Sequence, residues 1–100
     1  MITKDSDIVK KIFYLLDAGI VHGYDSFKYV AEVCEGYIEE ELTVELNGVE
    51  QTDADTNFNG AVLYSLIEDL KASSLERGEN WKSFVISYER GGEVKTNFIY

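Results

Sequence analysis

Residues 26–46 read SFKYVAEVCEGYIEEELTVEL, and the way this stretch folds back on itself decides the architecture. Two alternating runs flank Glu35-Gly36. Phe27, Tyr29, Ala31 and Val33 share one side of the first run, and Ile38, Leu42, Val44 and Leu46 share one side of the second. A two-residue turn at Glu35-Gly36 sets Val33 opposite Ile38, Tyr29 opposite Leu42 and Phe27 opposite Val44. All the apolar residues then fall on a single face. A slip of one position would turn a whole run to solvent, so the pattern specifies its register. Glu40 falls on the apolar face opposite Ala31, where it needs a polar partner or an opening in the core.

The other face of this hairpin carries charge. Glu32 lies opposite Glu39 and Val30 opposite Glu41, with Tyr37 and Glu45 at the two ends of the row and Lys28 the nearby base. Like charges paired across strands destabilise a sheet by a few tenths of a kcal/mol or more, and one lysine would relieve them. The row belongs to a larger block. Tyr29 to Leu70 holds eleven carboxylates and no Lys or Arg, so this block alone accounts for the net charge of -10.

The rest of the chain completes the pattern. Ile8, Ile12, Leu15 and Leu16 predict a helix over Ser6–Ala18, capped by Asp5 or Ser6 and stopped at Gly19. Val62, Leu63, Leu66, Ile67 and Leu70 predict a second helix over Asn59–Leu75, ended by Gly78, with Ser65, Asp69 and Ser73 on its exposed face. A second hairpin spans Trp81–Tyr100. A three-residue loop at Arg90-Gly91-Gly92 puts Tyr88 opposite Val94, Ile86 opposite Thr96 and Phe84 opposite Phe98. Trp81, Tyr88, Phe98 and Tyr100 read as packing residues. The expected fold is a single α+β domain over residues 1–100. It is a four-stranded antiparallel sheet with two helices packed on one face, in the order α-β-β-α-β-β. The opposite sheet face is then open, and the outward residues Val85, Ser87, Glu89, Lys95 and Asn97 join the carboxylates there.

Composition excludes several functions. A pI near 4.4 is wrong for direct nucleic-acid binding, which needs Lys and Arg on phosphates. It is equally wrong for an anionic membrane surface. No apolar run approaches the ~18 residues of a membrane span, acids stand where a signal peptide is apolar, and the lone Cys34 fits a reducing cytoplasm. The charge points instead to a basic protein partner or to no partner at all, as ordinary solubility charge, and its segregation into one stretch favours the partner no less than the solubility reading.

Catalytic and metal motifs are weak. Asp55-x-Asn57-x-Asn59-Gly60 matches the opening of an EF-hand calcium loop, but Leu66 stands where the closing bidentate Glu belongs, and a strand precedes the loop. The alternative is a polar loop that turns and caps the next helix. His22 and Cys34 are each single, which supports neither a nucleophilic pair nor a zinc site. Glu32 and Glu39 lie on an open face with no pocket for acid–base work. No enzymatic activity, cofactor or metal is expected. The candidate partner-binding residues are Glu32, Tyr37, Glu39 and Glu41 of the charged row, with Asp53 and Asp55 of the loop. Tyr37, beside carboxylates at a strand end, suits an interface anchor or, equally, a plain exposed cross-strand neighbour of Cys34.

The strand Tyr24-Asp-Ser-Phe27-Lys-Tyr29-Val-Ala-Glu32-Val sits between the two helices. The closing hairpin Trp81-Lys-Ser-Phe84-Val-Ile86-Ser-Tyr88 turns at Gly91-Gly92. In this element order the chain resembles YezG-like immunity proteins and other small immunity proteins of bacterial polymorphic-toxin and contact-dependent growth-inhibition systems. The resemblance implies a non-enzymatic cytoplasmic protein that neutralises a cognate toxin domain, often a nuclease. An acidic face suits the basic cleft of a nuclease, which it can block directly, from beside the active site or by strand addition at a sheet edge. The alternative is an acidic adaptor or regulatory module for a basic partner that is not a toxin.

Overall fold

The computed structural model describes residues 4–100. Helix α1 runs over Lys4–Gly19, and strands β1 (Ser26–Cys34), β2 (Tyr37–Leu46) and β3 (Val49–Gln51) follow. Helix α2 covers Gly60–Glu76, and β4 (Ser83–Glu89) and β5 (Lys95–Ile99) close the order. The strands form one antiparallel sheet in the spatial order β3-β2-β1-β4-β5. β1 is central because α2 carries the chain across the sheet and β4 returns to pair with β1.

The sheet has five strands where four were expected, and the element order gains a strand before α2. The addition is β3, which pairs Val49 with Leu46, Glu50 with Glu45 and Gln51 with Val44. Asn47 at φ 54° and Gly48 at φ 76° make the tight turn that folds it back. Three residues are too few for alternation to show as a pattern.

The two longer hairpins take the registers that alternation predicts. Val33 faces Ile38, Tyr29 faces Leu42 and Phe27 faces Val44. Phe84 faces Phe98 and Ile86 faces Thr96, but the ladder stops at Ser87 and Lys95, one position short of Val94. One face of the sheet is the core face. Phe27, Tyr29, Ala31, Val44, Phe84 and Ile86 form one buried cluster with Ile8, Ile12 and Leu16 of α1 and Leu63, Ile67 and Leu70 of α2. Removing each of the large aliphatic and phenylalanine side chains among these from water stabilises the fold by about 1.5–3 kcal/mol.

Four side chains and a glycine refine the sequence reading. Ser73, expected on the exposed face of α2, is buried, because its hydroxyl donates to Asp5 Oδ1 at 2.6 Å and packs beside Arg77. Val62, expected in the apolar stripe, is 45% exposed, and Tyr100 is 66% exposed rather than packed. Trp81 is fully buried, and its Nε1 donates to Ser74 Oγ at 2.8 Å, which satisfies the one polar atom of the ring. Gly19 ends α1 for a second reason besides helix termination: a Cβ there would stand 2.7 Å from Phe58 Cβ. Among the described residues no helix is long and apolar enough to cross a membrane.

Candidate partner-binding face

The strand registers lay out the outer face of the sheet row by row. Glu50, Glu45, Ser26 and Glu89 cross it at one end. Thr43, Lys28, Ser87 and Lys95 make the next row, and Glu41, Val30, Val85 and Asn97 the one after. Glu39, Glu32, Ser83 and Ile99 follow, and Tyr37 beside Cys34 closes the grid at the β1–β2 turn. Among the described residues, six glutamates on this face stand against two lysines. Two like-charge pairs are directly cross-strand: Glu32 with Glu39, and Glu45 with Glu50.

The face divides into two parts. Around Lys28 and Val30 the twisted sheet forms an open groove of about 630 Å³, lined by Glu41, Glu45, Glu50, Glu89 and Glu93 among others. Toward the hairpin turn, Glu32, Cys34 and Glu39 bring their ligand-type atoms within 4.8 Å of one another. Cys34 Sγ lies 3.9 Å from Glu32 Oε1, and Tyr37 stands directly across the turn from Cys34. The neighbouring Cys34 thiol, and then the Glu39 carboxylate, hold the Tyr37 phenol above its ordinary pKa of 10.0. One thiol and two carboxylates offer an incomplete set for a structural zinc, which takes four ligands. Glu32 and Glu39 are exposed and Cys34 is half-buried.

Three basic side chains are committed away from this face. Lys71 Nζ donates to Asn80 Oδ1 at 2.8 Å and to the Trp81 carbonyl, and lies 4.8 Å from the Trp81 ring centroid. Arg77 pairs with Asp5 at 2.5 Å and Glu79 at 2.9 Å. Arg90 stacks 4.2 Å over the Tyr24 ring and donates through Nε to the Tyr24 carbonyl at 2.6 Å.

The six predicted residues are not brought together as one site. Glu32, Tyr37, Glu39 and Glu41 share the outer face. Asp53 and Asp55 lie in the loop after β3, which leaves the sheet at the opposite end from the β1–β2 turn. That loop lies across the end of α1. Thr56 bridges Ile20, Val21 N–H donates to Asp55 O at 3.1 Å, and Asn57 N–H donates to Gly19 O at 2.8 Å. Asp55 also meets His22 at 3.1 Å, an exposed pair worth at most ~1 kcal/mol. Asn59 caps α2, its side chain accepting from Ala61 N at 3.0 Å and Val62 N at 3.3 Å. The polar groups that imitate half a calcium loop thus serve turns and a helix cap.

Glu45, Glu50, Glu89 and Glu93 extend the candidate face beyond the residues predicted from sequence. Outward alternation already marked Glu45 and Glu89, but Glu50 enters only through β3. Glu40 reaches the core face, where Tyr29 OH donates to its Oε1 at 2.8 Å, while its own side chain stays open to solvent. Both the partner and the opening that the buried register demanded are present.

No protein-family model matches the chain, and a search of the curated proteins finds no match.

Proposed function

We propose that the outer sheet face is the binding surface for a basic protein partner. In this reading the chain is a cytoplasmic immunity protein that neutralises a cognate toxin domain, most simply a nuclease. The observation that carries the reading is the pair of cross-strand glutamate pairings on the outer face, Glu32–Glu39 toward the hairpin turn and Glu45–Glu50 lining the open groove. Each works against the stability of the free sheet, and neither serves the core. A cationic cleft converts that repulsion into attraction and speeds association at low salt. A nuclease presents such a cleft because it must hold phosphate.

Growth protection tests the reading. The toxin is taken from the open reading frame adjoining the gene and expressed with either the wild-type chain or the variant E32K/E39K/E41K. The wild type is expected to restore growth, and the variant, folded and present at equal level, to fail. Equal protection by both removes these carboxylates from the interface. Absence of protection by the wild type, with no toxin adjoining the gene, favours the basic adaptor partner.

A further inference from the structure

β3 covers only one end of β2. Its ladder takes Val44, Glu45 and Leu46, so Tyr37 to Thr43 form a free sheet edge. The direction of the backbone groups along that edge follows from β1. Val33 N–H donates to Lys82 O at 2.8 Å, which turns the odd-numbered residues of β1 toward β4. The even-numbered ones then turn toward β2, where Glu32 meets Glu39 and Val30 meets Glu41. It follows that the N–H and C=O groups of Ile38, Glu40 and Leu42 point off the edge. The pairing of Val44 and Leu46 with β3 has the same parity. Among the described residues no backbone group pairs with Ile38, Glu40 or Leu42 on that side.

The surroundings of the edge define what it accepts. On the core side, a notch of about 310 Å³ lies between the hairpin and α2. Half-buried Ile38 lines it from the sheet, and Tyr64 and Leu75, 36% and 50% exposed, line it from α2. On the outer side stand Glu39 and Glu41. An added strand therefore meets apolar surface at Ile38 and Leu42, with the solvent-open Glu40 carboxylate between them, through one set of alternate side chains, and the carboxylates of Glu39 and Glu41 through the other.

We infer that the β2 edge at Ile38–Leu42 is a docking site for an extended cationic segment of a partner protein, which adds as a further strand of the sheet. Its alternate side chains are apolar against Ile38, Leu42 and the notch, with Glu40 between these two open to a polar or basic group, and basic over Glu39 and Glu41. The sign of the partner's charge rests on the proposed acidic-face function; the free edge itself does not. A second copy of this chain is a poor occupant of the same edge. It would set the triplet Glu39-Glu40-Glu41 against itself, the kind of charge by which edge strands avoid self-pairing. The edge strand at the opposite side of the sheet, β5, carries Lys95 and no acid, so it does not select a cationic segment.

The test uses the full chain and a short capped peptide of alternating lysine and valine, with amide exchange and binding read together by NMR. The peptide is expected to slow exchange at Ile38, Glu40 and Leu42. Its fully backbone-N-methylated counterpart keeps every charge and loses every N–H. It is expected to bind at least ~10-fold more weakly. Equal binding of the two peptides overturns strand addition and leaves charge attraction by the acidic face intact. Protection at the three amides that persists undiminished in E32K/E39K/E41K overturns the acidic-face requirement and leaves the edge as the docking site. No binding of either peptide overturns the inference. A dimer of the chain alone, with the same three amides protected, also overturns it, since the occupant is then a second copy.

Discussion

The two faces of the sheet obey opposite rules. On the inner face, alternation delivers apolar side chains to both helices, and its one charge, Glu40, has found Tyr29. On the outer face, the same strands deliver carboxylates to one another, while Lys71, Arg77 and Arg90 are held elsewhere. The inner face is self-consistent, as a folded chain requires. The outer face is not, and its inconsistency is what a partner of opposite charge would resolve.

Truncation breaks this comparison most strongly on the inner face. Phe84→Ala, at a fully buried position, is expected to cost about 3–5 kcal/mol in denaturant unfolding. Val85→Ala, next in sequence on the outer face, is expected to cost under ~1 kcal/mol, since surface changes seldom exceed that. Comparable losses at the two positions would mean that the outer face is also packed. Glu40→Leu comes next. It leaves the Tyr29 hydroxyl buried without its acceptor, an expected loss of about 1–3 kcal/mol. Adding Tyr29→Phe should recover part of that loss, and a strictly additive double mutant would deny the coupling.

Alkaline pH probes the same pair. Burial, and then the hydrogen bond to Glu40, push the Tyr29 phenol far above its ordinary 10.0. Burial and the bond to Asp17 do the same to Tyr24. Below about pH 10 both tyrosines are protonated in the folded and the unfolded chain, and neither makes stability depend on pH. Above it the unfolded chain ionises while the folded chain keeps its protons, so stability falls as pH rises. Tyr29→Phe is expected to flatten that fall, as followed by melting temperature against pH. The smallest expected effect is on the outer face. Glu39→Lys should raise stability by a few tenths of a kcal/mol by turning a like-charge pair into an opposite one. A loss of stability there would show that the row is not in conflict.

Where alternation runs long, the fold is legible from residues alone. The β1–β2 register, the pairing of Phe84 with Phe98 and both helices follow from apolar spacing and turn chemistry. β3 does not, because Val49-Glu50-Gln51 is too short to show a period and becomes a strand only through its pairing with β2. Ser73 was misplaced because its burial depends on Asp5, 68 positions away, which no local pattern encodes. The charged row was legible as a row of residues. Its concave shape, its extension to Glu50 and the separation of Asp53 and Asp55 from it depend on where the third strand and the loop go.

The most direct measurement of the central claim is the affinity of the proposed toxin partner for the wild type and for E32K/E39K/E41K across a salt series. The expected result is tight wild-type binding that weakens steeply with salt, and a variant that binds at least ~10-fold more weakly with a flatter slope while melting no lower than the wild type. Equal affinity and equal slope in a folded variant would contradict the claim that the outer carboxylates exist for a partner.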